Sequence, residues 1–542
     1  AGSLHSKGYT GRLHQGCADC CYKIISERIK TVFMLRNIIV LLVLSINICH
    51  AQYKNSVWCF GDSARIDFVN GTATAGSSAV GSRGTCTSIA DSADNLLFYT
   101  AIDPNNVPLY LRKGTVYNKL NAVMDNGDTL VGLAWYNEHI IIPNPAGNNR
   151  FYIFHLTASL GAGGANNGLF YSVVDLNYNN GLGKVTAKNQ HLITTDYLTD
   201  AMAAVKHGNG RDWWMVCKPT YSGATGVIPS DTLYVYLVTP DSIHEPMKQR
   251  IGTDRGWGLG NFTFSNAGDK LSVVMSDGII EVFNFDRCFG ILSNANIIYD
   301  IPMFSDGNNA FSGSAFSPND SLLYVTQGVY LPPYYILQID LSNNDIDTVA
   351  QVTSFGSSFT RGTGALRLAP DGKIYIATIA RDSFGGIWFP YPNNFYSPDN
   401  MYLASIDSPN VKGTGCSYNP YSIYLGSKRC YFGLPNNPDY ELGALQGSGC
   451  DTLTALKQDP EIVKNNLFVY PNPAKDFVTI AFSKAVRTTC NLRLFNVLNK
   501  EVYRQNFVQQ KVTVPIANLA KGIYIVEVSN NGFKEYAKFV KE

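Results

Sequence analysis

Residues 262–275 read FTFSNAGDKLSVVM, and the same pattern returns twice further along the chain. SAFSPNDSLLYVT follows at 314–326 and LRLAPDGKIYIAT at 366–378, with a step of 52 residues between equivalent positions such as Phe264 and Phe316. Each copy is an alternating strand, a turn built from small and polar residues, and a second alternating strand. A fixed step of this size indicates a repeated structural unit.

Weaker copies of the unit lie upstream, and they bring the count to six. They begin at Ser88, Asn149 and Leu233. Two further segments, WCFGDSARIDF near residue 58 and CSYNPYSIYLG near residue 416, are expected to complete a seventh unit from both ends. A four-stranded sheet cannot bury both faces alone, so the units must stack radially. The sequence therefore predicts an all-β, WD-like β-propeller of about seven blades. The alternative is a stack of β-sandwich domains, but the regular step and the lack of linkers favour the propeller.

The pattern changes near residue 465, where blade-type turns stop. LFVYPNPAKDFVTI at 467–480 opens a run of seven short strands with polar turns, which predicts a small immunoglobulin-like sandwich. Residues 465–542 hold eleven Lys/Arg and five Asp/Glu, a net charge of +6. Residues 52–464 hold 26 and 35, a net charge of −9. A basic module behind an acidic body predicts a separate partner. The absence of a recognised nucleic-acid-binding motif argues against a nucleic-acid partner.

The start of the chain is a targeting segment. Residues 34–51 combine a positive residue, Arg36, with an eleven-residue apolar run and a small-residue site, which predicts a signal peptide cleaved between Ala51 and Gln52. The apolar run is too short for a membrane helix, so no transmembrane segment is expected in the mature chain. Residues 1–33 are interpreted as a non-native or over-extended N-terminus.

The predicted mature chain has eight cysteines, an even number that suits disulfides in an exported protein. Eight cysteines allow about 105 pairings, so sequence does not fix the connectivity. The best local prediction is a disulfide between Cys416 and Cys430. The predicted domain order is a propeller at 52–445, a linker at 446–464 and the sandwich at 465–542.

Catalytic and metal motifs are scarce. No nucleophile elbow, zinc-binding histidine pair or complete P-loop occurs. A metal site is therefore not predicted. DLNYNNG at 175–181 alternates oxygen-bearing residues as a calcium loop does, but its glycine is one place late and no glutamate completes it. It is interpreted as a turn, and calcium is the one cofactor kept as an alternative.

VKHGNGRDWW at 205–214 is the main candidate for ligand binding. Aromatic and hydrogen-bonding side chains cluster here and at two other blade ends, where they could hold a sugar or a peptide; they are His207, Arg211, Trp213, Trp214, Trp257 and Arg361. The alternative is structural: Asn209-Gly210 forms a hairpin turn and the tryptophans pack between blades.

Two resemblances follow from these residues. WCFGDSARIDF, GLFYSVVDLNYNNGLGKV and GALRLAPDGKIYIA, with other segments between residues 57 and 440, resemble the exported propeller-like domain of Bacteroidetes surface proteins. The members of that family share no common activity, so the resemblance implies a fold and a location but no activity for this chain.

The tail resembles a type A C-terminal sorting domain of the type IX secretion system. The matching features, which lie in the expected order, are Tyr470-Pro471-Asn472-Pro473, Gly522 and Tyr524 of the Lys-Gly-Ile-Tyr motif, and Lys541 of the last strand. Glu542 departs from the usual basic ending. The resemblance implies transit through the periplasm, recognition by the type IX machinery, and secretion or display at the outer-membrane surface. An ordinary terminal sandwich is the alternative.

Three functions are compatible with these features. The favoured one is a non-catalytic, surface-displayed propeller that binds an extracellular glycan or protein. The second is an exported hydrolase or lyase whose residues gather at the central channel of the propeller. The third is an assembly component of the cell surface.

Overall fold

The computed structural model describes residues 53–103, 113–157, 168–194, 198–219, 231–254, 259–301, 310–328, 332–354, 359–382, 396–451, 467–482, 489–497, 500–529 and 534–542. The predicted signal peptide, its cleavage site at Ala51 and Gln52, and residues 1–33 lie outside these ranges. The chain divides into two compact units, with the boundary between Asp451 and Thr452.

The first unit forms seven antiparallel sheets within the described ranges, one of three strands and six of four. Each sheet is one blade, and its strands follow one another in chain order across the sheet. Blade 1 contains β1 (Val57–Phe60), β2 (Asp62–Val69) and β3 (Thr72–Gly81); blade 2 contains β4 (Cys86–Ala90), β5 (Leu96–Ile102), β6 (Lys113–Asn118) and β7 (Leu130–Val131); blade 3 contains β8 (His139–Pro143), β9 (Arg150–Thr157), β10 (Gly168–Asp175) and β11 (Lys184–Ile193).

The other four blades repeat this plan. Blade 4 contains β12 (Leu198–Lys206), β13 (Trp213–Pro219), β14 (Thr232–Val238) and β15 (Met247–Arg250); blade 5 contains β16 (Gly260–Phe264), β17 (Lys270–Met275), β18 (Ile279–Asp286) and β19 (Ile291–Asp300); blade 6 contains β20 (Phe311–Phe316), β21 (Leu322–Gln327), β22 (Tyr334–Asp340) and β23 (Asp345–Val352); blade 7 contains β24 (Phe359–Leu368), β25 (Ile374–Asp382), β26 (Tyr402–Ile406) and β27 (Tyr418–Tyr424).

The 52-residue repeat has an equivalent structural element in blades 5, 6 and 7: the turn between the first two strands. The amide of Gly268 donates to the carbonyl of Ser265 at 2.9 Å, and the amide of Asp320 donates to the carbonyl of Ser317 at the same distance. Gly268 and Asp320 both have positive φ, 71° and 56°. Glycine and aspartate tolerate this left-handed conformation better than most residues, which explains the turn chemistry of the repeat.

The blades form a ring because the first strands of successive blades contact one another from β1 to β24. The ring closes where blade 1 meets blade 7: the ring of Tyr375 lies 6.1 Å from Trp58 and 5.7 Å from Phe68. The predicted propeller is confirmed, with one difference. The segments near 58 and 416 do not share a seventh blade, because the first starts blade 1 and the second leads into β27 of blade 7.

Helical structure in the described residues consists of one α-helical turn at Pro398–Met401 and 3₁₀ turns at Asn179–Gly181 and Gly413–Cys416. None of the helices in these residues has the length and apolar character needed to cross a membrane.

The second unit is a sandwich of two antiparallel sheets, as the tail sequence predicts. One sheet has the order β28-β29-β32 and the other the order β31-β30-β33-β34. The strands are β28 (Leu467–Tyr470), β29 (Phe477–Phe482), β30 (Cys490–Asn496), β31 (Glu501–Phe507), β32 (Lys511–Pro515), β33 (Gly522–Ser529) and β34 (Lys534–Lys541). Val478 and Ile480 point into the core while Phe477 is exposed, which is the alternation expected of a half-buried strand.

Candidate functional site

A segment of the chain itself, residues 429–442, lies along the propeller axis; it is called the axial segment below. The amide of Ala365 in blade 7 donates to the carbonyl of Phe432 at 2.7 Å. The amide of Asn436 donates to the carbonyl of Cys86 in blade 2 at 2.9 Å. The hydroxyl of Tyr440 donates to the carbonyl of Ile141 in blade 3 at 3.1 Å. Since these partners belong to the first strands of different blades, the segment occupies the centre of the ring.

The local sequence allows this close passage. A Cβ atom on Gly433 would collide with the backbone of Gly84, and one on Gly364 would collide with the backbone of Phe432. Glycine is therefore required at both places, because backbone meets backbone there.

Asn436 joins the segment to three blades. Its Nδ2 donates to the carbonyls of His139 at 3.3 Å and Met202 at 3.1 Å, and its Oδ1 accepts from Arg367 Nη2 at 3.1 Å. The same nitrogen of Arg367 donates to Asn137 Oδ1 at 3.0 Å. Asn436 and Arg367 are both buried, so these bonds satisfy polar groups that water does not reach.

Two carboxylates lie near the starts of the first strands, and both are fully buried. Glu138 Oε2 accepts from the amides of Leu133 at 3.1 Å and Trp135 at 3.2 Å. Asp200 accepts from Gly260 N at 2.7 Å and from Tyr136 N at 3.2 Å. Their hydrogen bonds to backbone amides fix the loop that precedes β8.

Electrostatics at this place follow from burial. Burial, reinforced by the charge of Glu138, raises the pKa of Asp200 to about 8. Burial also lowers the pKa of the nearby Arg83 to about 10, although Glu138 and Asp200 both favour its charged form. A guanidinium with a pKa near 10 is still charged at neutral pH, whereas the Asp200 carboxyl is largely protonated.

Two histidines pair across β8 and β9, with ring centroids 5.8 Å apart. His139 Nδ1 is 3.1 Å from Thr100 Oγ1, and His155 Nδ1 donates to the carbonyl of Val131 at 2.9 Å. Burial lowers the pKa of both rings, that of His155 to about 4. Both are therefore neutral at physiological pH. Within the described ranges, no group of three or more His, Cys, Asp or Glu residues could hold a metal ion.

Residues 175–181, which the sequence interprets as a turn with calcium binding as the alternative, form hydrogen bonds within the protein. Asp175 Oδ1 accepts from Asn177 N at 2.9 Å, and its Oδ2 accepts from Arg150 Nε at 2.8 Å. Asn179 donates to the carbonyl of Gly183 at 3.0 Å. Asn177 Nδ2 donates to the carbonyl of Asn148 at 2.7 Å, so the side chains of Asp175, Asn177 and Asn179 all form hydrogen bonds within the protein.

The cluster at 205–214, the main predicted binding site, packs against residues near the end of the first unit. Trp213 and Trp214 are 1% and 3% exposed, so neither offers a face to a ligand. Trp214 Nε1 donates to the carbonyl of Arg287 at 2.7 Å, and His207 stacks on the Trp214 ring at 5.3 Å. Arg211, on the outer side of the hairpin, forms an ion pair with Asp212. The structural interpretation accounts for both tryptophans.

Residues that follow the axial segment dock on this hairpin. The amide of Leu445 donates to the carbonyl of Gly208 at 2.8 Å, and Arg287 Nη2 donates to the carbonyl of Gly443 at 2.6 Å. A disulfide joins Cys288 to Cys450 across 162 residues of sequence. Residues 446–451, which the sequence places in a linker, are therefore tied to blade 5.

The predicted disulfide between Cys416 and Cys430 is wrong, because both cysteines are free. They are buried in separate clusters: Cys416 packs between blades 6 and 7, and Cys430 packs with blade 1 and the inner part of blade 7. The Cys430 thiol donates to the carbonyl of Thr378 at 2.8 Å instead. The 14-residue spacing gave no information on this separation.

Two predicted binding residues remain, Arg361 and Trp257. Arg361 is fully buried; its guanidinium lies over the Tyr421 ring at 4.3 Å and donates to Thr378 Oγ1 at 3.3 Å. Trp257 lies outside the described residues.

Arg361 supports an aromatic surface that sequence reasoning missed, called the tyrosine edge below: Tyr402, Tyr421 and Tyr424 of blade 7. Tyr402 meets Tyr424 at 5.0 Å and Tyr421 at 5.7 Å between ring centroids. Tyr424 is 43% exposed and the other two are half-buried. The sequence feature that could have indicated this surface is the tyrosine-rich YNPYSIY of the edge strand β27.

In the second unit, the sorting motif and the last strand are joined directly. Asn472 Oδ1 accepts from the amide of Val540 at 2.9 Å, and Asn472 Nδ2 donates to the carbonyl of Lys538 at 3.3 Å. A parallel bridge pairs Ala474 with Lys541, which is mostly buried. The Pro471-Asn472-Pro473 turn therefore holds the C-terminal strand in place.

The third sorting feature packs inside the sandwich. Gly522 begins β33, and Tyr524 stacks on Phe539 of the last strand at 5.5 Å. The Tyr524 hydroxyl donates to the carbonyl of Ala520 at 2.8 Å. All three predicted sorting features thus converge on β34 or on the strand beside it.

Comparison with protein families identifies this second unit. Residues 468–542 match the family described as the secretion system C-terminal sorting domain. No match to the chain was found among curated proteins.

Two of the solved structures that the chain resembles have low sequence identity to it. The surface component PorZ of the type IX secretion system of Porphyromonas gingivalis is 13% identical, with a TM-score of 0.33, over 88% of this chain and 62% of that one. A candidate 6-phosphogluconolactonase from Bacteroides fragilis is 10% identical, with a TM-score of 0.39, over 71% of this chain and 96% of that one.

The chain therefore combines a β-propeller with a type IX secretion C-terminal sorting domain. This domain marks the protein for recognition by the type IX machinery and for export, either to the cell surface or into the medium.

Proposed function

We propose that the protein is delivered through the periplasm to the outer-membrane surface, where its propeller acts as a non-catalytic binding module for an extracellular glycan or protein. The observation that carries the proposal is the sorting domain at residues 468–542, which gives the propeller an extracellular destination. Loss of the sorting domain after transit and anchoring of the propeller at the surface belong to the same proposal.

The residues at the propeller axis favour a binding function over a catalytic one. A hydrolase at the central channel needs carboxylates that reach a substrate and its attacking water. Glu138 and Asp200 are instead fully buried and accept hydrogen bonds from backbone amides. The axial segment also fills much of the central channel and leaves a pocket of about 90 Å³, which is too small for a polysaccharide. These acids serve the fold in this conformation.

The tyrosine edge is the surface best suited to the ligand. Tyrosine rings supply apolar faces and a polar hydroxyl, a combination that stacks on sugar rings and also suits protein interfaces. Tyr421 is fixed from two sides, since Arg361 lies over its ring and its hydroxyl donates to Asp399 Oδ1 at 3.1 Å. A fixed ring loses little conformational entropy on binding.

Export is tested by deleting residues 465–542 and locating the remaining chain by fractionation and surface proteolysis. We expect a folded propeller held in the periplasm. A matched control replaces Lys475, an exposed residue of the sandwich, by Ala and should reach the surface normally. Efficient surface display of the truncated chain would refute the proposal on export.

Binding is tested with a glycan array and with pull-down from extracellular matrix, using the exported protein. We expect Tyr424→Ala to weaken retention of the captured ligand at least tenfold. Tyr178→Ala, at an exposed tyrosine of blade 3, is the control and should not change it. Equal loss in both variants would move the ligand away from the tyrosine edge. Turnover of a polysaccharide that Glu138→Gln abolishes would favour the hydrolase instead.

A further inference from the structure

A pocket of about 90 Å³ lies beside the axial segment, where the segment leaves part of the propeller centre unfilled. One wall is apolar and comes from blades 3, 4 and 5 and from the end of the axial segment; its side chains are Ile140, Ala203, Val205, Phe262, Phe264 and Leu442. The remaining lining is polar and includes Arg367, Asn436 and Asn437, together with Thr263, Ser265, Asn266 and Asp439. The pocket is thus amphipathic, with a cation on the polar side.

Arg367 is buried, and its hydrogen-bond acceptors among the described residues are all uncharged. Nε donates to the carbonyl of Pro435 at 3.1 Å, and Nη1 donates to the carbonyl of Leu366 at 3.1 Å. Nη2 donates to the side-chain oxygens of Asn137 and Asn436. A guanidinium has five N–H donors, so these four bonds leave one N–H of Nη1 for another acceptor.

No carboxylate pairs with Arg367 within the part of the chain that the structure describes. Asp439, which also lines the pocket, is exposed and interacts with Lys206 and Arg287. A buried charge without an opposite charge is costly, even when neutral groups satisfy its donors. A bound anion would remove much of this cost and form a charge-assisted hydrogen bond.

We propose that this pocket binds a small organic carboxylate, with its charged end at Arg367 and its apolar end against Phe262 and Val205. An enclosed cavity of ~150 Å³ takes the six carbons of a benzene ring, so 90 Å³ holds about four non-hydrogen atoms of a ligand. The pocket is partly open to solvent, so a carboxylate of one or two further atoms can extend beyond it. The two walls match such a molecule better than they match inorganic phosphate, which has no apolar part. The pocket is distinct from the tyrosine edge, and the proposal does not depend on export.

The test is isothermal titration calorimetry on the full chain with acetate, butyrate, inorganic phosphate and butyramide at constant ionic strength. We expect saturable binding of butyrate, weaker binding of acetate, and at least tenfold weaker binding of phosphate and of the neutral butyramide. Absence of saturable butyrate binding would overturn the proposal. Equal affinity for butyrate and butyramide would also overturn it, because the charge of Arg367 would then play no part.

Two variants locate the ligand. Ala203→Leu fills the apolar side without touching Arg367, and Arg367→Gln removes the cation; each should weaken butyrate binding at least tenfold. Ala73→Leu, the same enlargement on a half-buried strand of blade 1, should leave binding unchanged. If Arg367→Gln does not fold, Ala203→Leu alone decides. Full butyrate affinity in a folded Ala203→Leu variant would place binding elsewhere and refute the proposal.

Discussion

Arg367 of blade 7 and Asn436 of the axial segment are joined by a 3.1 Å hydrogen bond at the centre of the propeller. Through Asn436 the same bond network reaches the carbonyls of His139 and Met202 in blades 3 and 4. One asparagine thus connects blade 7 to blades 3 and 4, which are distant from it in sequence. The axial segment consequently acts as a structural element of the ring.

Asn436→Ala should destabilise the first unit by about 2–4 kcal/mol, because it leaves buried polar groups without partners. The free energy of unfolding from urea titration measures this effect. Asn296→Ala is the matched control; its half-buried side chain bonds the exposed Asn344, and the replacement should cost less than about 1 kcal/mol. Equal costs for the two variants would show that the axial network is dispensable.

Removal of the Cys288–Cys450 disulfide by replacing both cysteines with Ser should lower the free energy of unfolding by about 2–5 kcal/mol, since the bond closes a 162-residue loop. Peptide mapping under non-reducing conditions should recover the linked pair. Reductant should lower the Tm of the wild type but not that of the double variant. A reductant effect of equal size in both proteins would contradict the assignment.

The buried Asp200 predicts a pH dependence of stability. Its pKa is raised to about 8 in the folded protein from 3.8, so between these values the folded state keeps a proton that the unfolded state has lost. Stability therefore falls as pH rises through this window, by at most about 1.4 kcal/mol per pH unit. Between pH 6.5 and 8, Asp200→Asn should show a flatter dependence in urea titrations. Identical slopes in the two proteins would contradict the prediction.

His155 acts in the opposite direction on the acid side. Burial lowers its pKa from 6.5 to about 4, so below pH 6.5 the unfolded state gains a proton that the folded state does not bind. Stability should then decrease as pH falls from 6.5 to 4. His155→Gln should reduce this acid dependence, while His244→Gln, at an exposed histidine, should not. An unchanged profile for His155→Gln would refute the assignment.

Asn472→Ala should impair sorting more than it impairs folding. It removes the two side-chain bonds that hold the last strand, at a cost of about 0.5–1.5 kcal/mol because the site is exposed. We expect a reduced surface-displayed fraction in whole-cell labelling, with accumulation of the full-length chain. Asn506→Ala, at another exposed asparagine of the sandwich, is the control. Wild-type display of Asn472→Ala would show that this clamp is not required.

Much of the fold could be predicted because its signals are local. The turns at Ser265–Gly268 and Ser317–Asp320 have the same hydrogen bond and the same positive φ, so a sequence repeat reports them directly. The strands of the sandwich could also be predicted, because apolar and polar residues alternate along them. The motif from Tyr470 to Pro473 indicated the sorting domain. The candidate binding residues were less readable. Adjacent tryptophans such as Trp213 and Trp214 are also common in ligand-binding sites, but here both side chains are buried.

The sequence alone determined the repeat, the two-domain order and the sorting signal, because each depends on residues a few positions apart. Only the tertiary structure decided the course of residues 429–442, the pairing of Cys288 with Cys450, and the meeting of Arg367 with Asn436. The last two relationships join positions 162 and 69 residues apart. Closure of the propeller ring brings these residues together. A local pattern of hydrophobicity or turn residues does not specify which distant residue each of them will contact.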